Sequence, residues 1–189
     1  MIAQRRFSAL LIRYLTVYRN LWIKSGKREL ISKDIDDDEP CARAVFHPVM
    51  YKKNGQLKHT AILPQAGGND VSLYRLRYAS VEFCVNHAKK KIKRVGSKFR
   101  ELAQFTSNDL ACLNEMHQEV NAHIAYSPMN KGEYISKDID VYVNDPLYDL
   151  PVHADLIYNI SPEKGIPNLK LNQYAYDLIK RWKTVYEEP

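Results

Sequence analysis

The chain has 189 residues, of which 45% are hydrophobic and 11% are aromatic, and its formal net charge is +6. This composition argues against a disordered or low-complexity protein, and the length suits one packed domain with an appendage. The three cysteines are widely spaced and form no CxxC pair. That argues against a disulfide framework or a zinc site, and it predicts a reducing, cytoplasmic location.

The charge is divided unequally between the two halves of the chain. Residues 1–100 contain 21 basic and 8 acidic residues, a net +13, whereas residues 101–189 contain 7 and 14, a net −7. This split predicts either a polyanionic partner on the basic side or attraction between oppositely charged parts of one or more copies. The alternative is an ordinary solvated surface.

The N-terminal segment predicts an amphipathic helix over Ile2–Lys24, with a wide apolar stripe and a basic face. Because Arg13 and Arg19 interrupt its apolar runs, we expect neither a signal peptide nor a membrane span. We expect the stripe to pack against the core. The alternative is that the basic face contacts nucleic acid or an anionic membrane.

The next segments predict an acidic linker followed by a group of strands. Ser32–Pro40 is acidic and poor in apolar residues. Ala42–Tyr51 and His59–Leu63 predict the two arms of a hairpin that turns at Asn54-Gly55. Val71–Tyr78 predicts a third strand, with Arg75 and Arg77 on one face.

The remaining segments alternate between predicted helices and strands. Two helices are predicted in this stretch, Val81–Arg100 with a basic tail and one that a capping box at Thr106 opens, through about Ile124. Glu133–Val143 and Val152–Ile160 predict strands, and about Leu169 to Tyr186 predicts a final helix. We therefore expect an α+β fold, in which helices pack on a single mixed, mainly antiparallel sheet behind an N-terminal amphipathic helix. The predicted divisions are a basic helix at 1–28, an acidic linker at 29–40 and an α+β domain at 41–189.

A cluster of basic residues predicts a surface for nucleic acid or another phosphate-bearing partner. Guanidinium groups bind phosphate in a bidentate manner, and a row of cations binds polyanions through counterion release. The predicted surface consists of Arg75, Arg77, Lys89, Lys90, Lys91, Lys93, Arg94, Lys98 and Arg100. The alternative is that these cations pair with the surplus carboxylates of the second half.

His153 and Asp155 are the strongest candidates for catalysis. In a strand they project from the same face, about 6–7 Å apart at Cα, so that the carboxylate can orient the imidazole as a general base. His47, in a proline-bent stretch, is a possible partner. The alternative is a polar strand face with a hydrogen-bonded histidine. A weaker set, Glu115, Glu119 and His123, has i, i+4 spacing but is expected to face solvent.

The stretches FHPVMYKKNGQLKHTAILP, DVSLYRLRY and PVHADLIYN occur in an order that resembles a group of small uncharacterised bacterial proteins. The members share an aromatic-containing strand, a glycine turn, a Ser-Val/Leu-x-Arg strand and a late His-Ala-Asp/Asn segment. The likeness covers Cys41–Lys183 loosely. It implies a compact bacterial domain and no particular reaction, and it draws attention to Arg75, His153 and Asp155.

The sequence contains no P-loop, GxGxxG, GxSxG, HExxH or kinase motif, which disfavours the usual nucleotide-dependent and hydrolase families. We expect no cofactor and no metal. The leading hypothesis is an accessory or binding protein, rather than an enzyme, that engages nucleic acid or a phosphate-bearing partner through its basic surface. One alternative is a small hydrolase or nuclease that uses His153 and Asp155 with Arg75. Another is an interaction subunit of a multi-protein assembly or a homo-oligomer, since tyrosines are common at such contacts.

Overall fold

The fold is taken from a computed structural model that describes residues 28–30, 32–90, 92, 95–127, 134–136, 152–163 and 168–189. The predicted N-terminal helix Ile2–Lys24 and most of the predicted strand Glu133–Val143 lie outside these residues.

Antiparallel pairing organises all the strands that the structure describes. Six strands form one sheet in the order β5-β7-β3-β2-β4-β8, and β1 and β6 form a separate two-stranded ribbon. This confirms the predicted α+β fold with a single, mainly antiparallel sheet. The strands are β1 (Arg28–Leu30), β2 (Cys41–His47), β3 (Asp70–Arg75), β4 (Lys98–Phe105), β5 (Ala122–Tyr126), β6 (Tyr134–Ser136), β7 (His153–Tyr158) and β8 (Lys183–Glu187).

Helices cover both faces of the six-stranded sheet. Helix α1 (Val81–Lys90) packs on one face, where the small residues Ala42 and Ala44 of β2 allow a close approach. Helices α2 (Ser107–Met116) and α3 (Leu169–Arg181) lie together over the other face. None of the described helices has the length and apolar character needed to cross a lipid bilayer.

Strand β4 begins at Lys98, where the sequence predicted the end of the helix Val81–Arg100. Helix α1 ends at Lys90, and Gly96 adopts a left-handed φ of 79° in the turn that leads to β4. Phe99 and Glu101 pair with consecutive residues of β2, so that Arg100 is an extra residue in a β-bulge. The bulge spaces the buried residues of β4 unevenly, and the uneven spacing is typical of a helix rather than a strand.

Helix α2 begins as predicted and ends earlier. Thr106 and Asp109 form the predicted reciprocal capping box. The helix stops at Met116. The Asn114 side chain donates from Nδ2 to the Ala122 carbonyl and accepts at Oδ1 from the Ala122 backbone N–H, at 3.0 Å each. These two bonds fix the start of β5. The predicted continuation to Ile124 is therefore wrong.

The C-terminal part contains one confirmed strand, one confirmed helix and one strand that the sequence did not predict. Strand β7 matches the prediction, and its alternate residues Ala154, Leu156 and Tyr158 are buried on the side of α2 and α3. Helix α3 starts at Leu169, capped by the Asn168 side chain. It ends at Arg181, so the predicted continuation to about Tyr186 is wrong, and the chain continues as β8 along the edge of β4.

The connection between β2 and β3 is only partly the predicted hairpin. Tyr51 and Leu57 form an isolated antiparallel bridge around the turn at Asn54-Gly55, whereas His59–Ala61 is a short 3₁₀ helix and not a strand. Because β2 and β3 pair at only two positions, Arg43 fills the gap between them. Its Nε donates to the carbonyl of Ala61 at 3.2 Å and its Nη1 to that of Ser72 at 2.9 Å.

The acidic segment that was predicted as a linker lies against the sheet. Ile35 packs on the core beneath α2 and α3, and the Asp37 carbonyl accepts a hydrogen bond from the Asn108 backbone. Glu39 is buried, with 3% of its surface exposed. The segment therefore contributes a buried carboxylate to the fold.

Candidate functional site

Arg75 was predicted to face a phosphate group, but it is fully buried. Its Nε and Nη2 donate to the two carboxylate oxygens of Glu39 at 2.6 and 2.7 Å. Nη1 and Nη2 also donate to the carbonyls of Ser32 and Asp34 at 2.5 and 3.0 Å. Each guanidinium nitrogen thus donates to the protein itself. Burial lowers the pKa of Arg75, but the hydrogen bonds and charge of Glu39 outweigh this and the pKa lies above its ordinary value.

Arg77 lies just beyond the end of β3 and pairs with Asp36 on the surface. Both arginines belong to the end of the sheet at which β2 begins, since Cys41 is the pairing partner of Arg75. Lys98 pairs with His47 at the other end of β2. Six residues of extended strand separate these positions by about 20 Å, so the two arginines do not share a surface with Lys98.

The predicted cations of α1 and β4 do lie near one another. Lys89 is ion-paired to Glu188 at 2.7 Å, and Arg100 to Glu187 at 2.6 Å. Lys90 and Lys98 are exposed, and neither forms an ion pair among the residues that the structure describes. Three further predicted cations, Lys91, Lys93 and Arg94, lie outside the described residues.

Three more lysines lie at the same end of the sheet and were missed from the sequence. The C-terminal end of β2 and the N-terminal end of β4 are neighbours, because His47 pairs with Lys98. The chain that leaves β2 carries Lys52, Lys53 and Lys58, and residues 40–69 contain no aspartate or glutamate. Residues 83–100, which lead into β4, also contain none. The acid-free composition was the available signal, but only the strand pairing shows that both segments meet.

The small hairpin positions these lysines through contacts with β4 and α3. The Tyr51 hydroxyl donates to Glu101 of β4 at 2.9 Å, and the Lys52 ammonium lies 5.2 Å from the centre of the Tyr176 ring of α3. The Lys58 ammonium donates to the Val49 carbonyl at 2.9 Å. Within the described chain none of the three lysines is ion-paired.

We call this region the basic end of the sheet. It carries three carboxylates, those of Glu101, Glu187 and Glu188, against seven cations, so the described residues give it a net positive charge. Such an arrangement binds oxyanions by charge and hydrogen bonding, without any need for a cleft. Its described cations are Lys52, Lys53, Lys58, Lys89, Lys90, Lys98 and Arg100.

His153 and Asp155 project from the same face of β7, as the alternation predicts. The imidazole Nδ1 lies 2.8 Å from the carbonyl oxygen and 2.9 Å from the hydroxyl of Ser127. Since a carbonyl only accepts, Nδ1 carries the hydrogen. Nε2 lies 3.6 Å from Asp155 Oδ1, too far for a hydrogen bond, and neither atom has a hydrogen-bond partner among the described residues. Both of these atoms are buried, so a substrate does not reach the imidazole Nε2, although 18% of the Asp155 side chain is exposed.

The other groups that the hydrolase alternative requires are not available to His153. Arg75 is close in the sheet, because its neighbour Tyr74 pairs with His153, but its guanidinium is engaged by Glu39 and two backbone carbonyls. His47 stands at the far end of β2, with its ring 5.5 Å from that of Tyr51. The structure therefore brings His153 and Asp155 together without Arg75 or His47.

No metal centre is formed by the part of the chain that the structure describes. No three histidine, cysteine, aspartate or glutamate side chains converge there. The set Glu115, Glu119 and His123 is not on one helical face, because α2 ends at Met116 and His123 belongs to β5.

No known family model matches this chain, and no curated protein or solved structure shows a significant similarity to it. The resemblance to small bacterial proteins therefore stays a prediction.

Proposed function

We propose that this protein is an accessory binding protein that engages nucleic acid, or another phosphate-bearing partner, through the basic end of its sheet. The observation that supports the proposal is the meeting of two acid-free segments beside the pair His47 and Lys98. The lysines of the small hairpin take the place of Arg75 and Arg77, because Arg75 is buried and both arginines lie at the other end of β2.

The five cations without an ion pair are the main binding groups. Lys52, Lys53, Lys90 and Lys98 are exposed and Lys58 is partly exposed, so an anionic polymer reaches them without disrupting the core. Every phosphate that they neutralise releases condensed counterions, which is the main source of affinity for a nucleic-acid backbone. The proposal therefore predicts binding that depends on salt and little on base sequence.

The test is fluorescence anisotropy with labelled single-stranded and double-stranded DNA and RNA over a salt series. We expect binding at low salt, with log K falling linearly as log salt rises. Replacing Lys52, Lys53 and Lys58 by glutamine should reduce the magnitude of this slope by about 0.9 for each duplex DNA phosphate contact that is lost.

A matched control removes the same charge elsewhere. Lys33, Lys170 and Lys180 lie outside the basic end, and their replacement by glutamine should leave the slope nearly unchanged. The absence of binding at low salt would end the proposal. An equal effect of the two triple variants would show that net charge, and not this surface, is responsible.

A further inference from the structure

Glu188 forms an ion pair with Lys89, one of the cations of the basic end. Its carboxylate oxygens lie 2.8 and 2.7 Å from the Lys89 ammonium. The Tyr186 hydroxyl donates to the same carboxylate at 3.1 Å, and the Lys89 ammonium lies 5.9 and 6.0 Å from the centres of the Phe99 and Tyr186 rings. The hydrogen bond from Lys89 lowers the pKa of Glu188, so the carboxylate is held in its charged form.

Arg100, a second cation of the basic end, is bound by the Glu187 side chain and the backbone of Glu188. Arg100 is the bulge residue of β4, and its guanidinium donates from Nη2 to Glu187 Oε1 at 2.6 Å and from Nη1 to the Glu188 carbonyl at 2.7 Å. A guanidinium that faces two oxygens in this way is arranged as it would be for a phosphate.

We infer that Glu187 and Glu188 act as an intramolecular competitor, which fills two oxyanion positions of the basic end until the phosphates of a polyanion displace them. This inference rests on the proposed function. The side chains of these two ion pairs are between 34% and 59% exposed, so the contacts exchange with solvent and are weak. An anionic polymer that is already held by the five unpaired lysines brings further phosphates close to Lys89 and Arg100, and displacement then needs no other change in the fold.

The inference predicts that removal of the two carboxylates strengthens polyanion binding. The experiment compares the wild type with E187Q/E188Q by anisotropy, using a fluorescein-labelled single-stranded DNA of about 20 nucleotides, longer than a typical single-fold binding site. At low salt we expect E187Q/E188Q to bind at least about threefold more tightly, with a steeper salt dependence, by about 0.7 for each added single-strand phosphate contact.

The matched control is E115Q/E163Q, which changes the net charge equally at exposed carboxylates outside the basic end. It should bind nearly as the wild type does. The combined variant K89Q/R100Q/E187Q/E188Q should lose the gain, since the phosphates then find no freed cations. Circular dichroism checks that every variant is folded.

The outcomes separate the two proposals. If the wild type binds and E187Q/E188Q gains no more than E115Q/E163Q, the competitor is excluded while the basic end remains the binding surface. If neither the wild type nor E187Q/E188Q binds at low salt, both proposals are refuted.

Discussion

Replacement of Glu39 by glutamine tests whether the buried pair with Arg75 holds the segment before β2 against the sheet. The exposed fractions of the two side chains are 0% and 1%, and the Arg75 guanidinium makes four hydrogen bonds of 2.5 to 3.0 Å. It also lies 4.8 Å from the centre of the Tyr78 ring and 5.2 Å from that of Tyr126. Glutamine preserves the shape of Glu39 but leaves the buried cation without its counter-charge.

Breaking a buried ion pair on one side costs about 3–5 kcal/mol, a large part of the roughly 5–15 kcal/mol that stabilises a typical domain. Urea denaturation followed by circular dichroism measures this loss as a lower midpoint at an unchanged slope. The exposed pair of Asp36 and Arg77 supplies the control, and D36N should scarcely change the midpoint. The apolar double variant E39L/R75M removes both charges but also leaves the Ser32 and Asp34 carbonyls without their donor, so it should recover only part of the loss. If E39Q is as stable as D36N, the buried pair does not hold this segment.

Three further predictions follow from groups outside the basic end. Burial raises the pKa of the Cys41 thiol to about 12. In the native protein iodoacetamide should therefore label the exposed Cys112 and not Cys41, as measured by mass spectrometry. Rapid labelling of Cys41 would show that the residues around it open. A hydrogen bond from Lys180, with help from two other side chains, lowers the pKa of Asp177, so its contribution to stability is present above the ordinary value of 3.8 and is lost as pH falls through the lower folded value. The midpoint difference between wild type and D177N should therefore shrink on acidification, and a constant difference would contradict this. R43M removes the donor to two backbone carbonyls and should cost about 1–3 kcal/mol for each carbonyl left dry, measured by the same denaturation, whereas an unchanged midpoint would show that water replaces the guanidinium.

Local signals predicted the elements that are regular and bounded by clear caps. The Thr106 capping box, the alternating pattern of β7 and the apolar stripe of α3 depend on neighbours within a few residues, and these were confirmed. The predicted faces of β7 were also correct, since Asp155 and His153 share one face while Ala154 lies on the other.

The missed elements depend on partners that are distant in the sequence. In β8, Val185 is the extra residue of a bulge opposite β4, so the strand does not show a simple alternation of apolar and polar residues. Trp182 and Val185 instead continue the three-residue spacing of the apolar residues of α3, which predicts a helix. Strand β5 was hidden in the same way, because Ile124 falls on the extended stripe of α2 although its pairing with β7 makes it a strand residue. A local pattern does not distinguish an irregular strand from a helix when the pairing strand supplies the decisive hydrogen bonds.

In the candidate site, too, the sequence indicated local features but not the contacts between residues that are distant in the chain. The acid-free run before Arg100 was visible in the sequence, but the burial of Arg75 and the position of Lys52 were not. Both depend on which strands are neighbours: Glu39 reaches Arg75 because Cys41 pairs with it, and the small hairpin joins the basic end because His47 pairs with Lys98. The sequence thus shows which segments are rich in basic residues, whereas the strand order determines which of these residues lie on one surface.

The strand order has a consequence for how fast the protein assembles. No tight turn joins two neighbouring strands of the six-stranded sheet: 22 residues separate β2 from β3, and α2, β5, β6, β7 and α3 lie between β4 and β8 in the chain. The chain must close these long loops before the pairing energy is gained, so it should reach the native state more slowly than a protein built on local contacts, such as a helical bundle. Until β8 arrives, the outer edge of β4 exposes its backbone amides and carbonyls, which makes the partly formed sheet the species most prone to self-association.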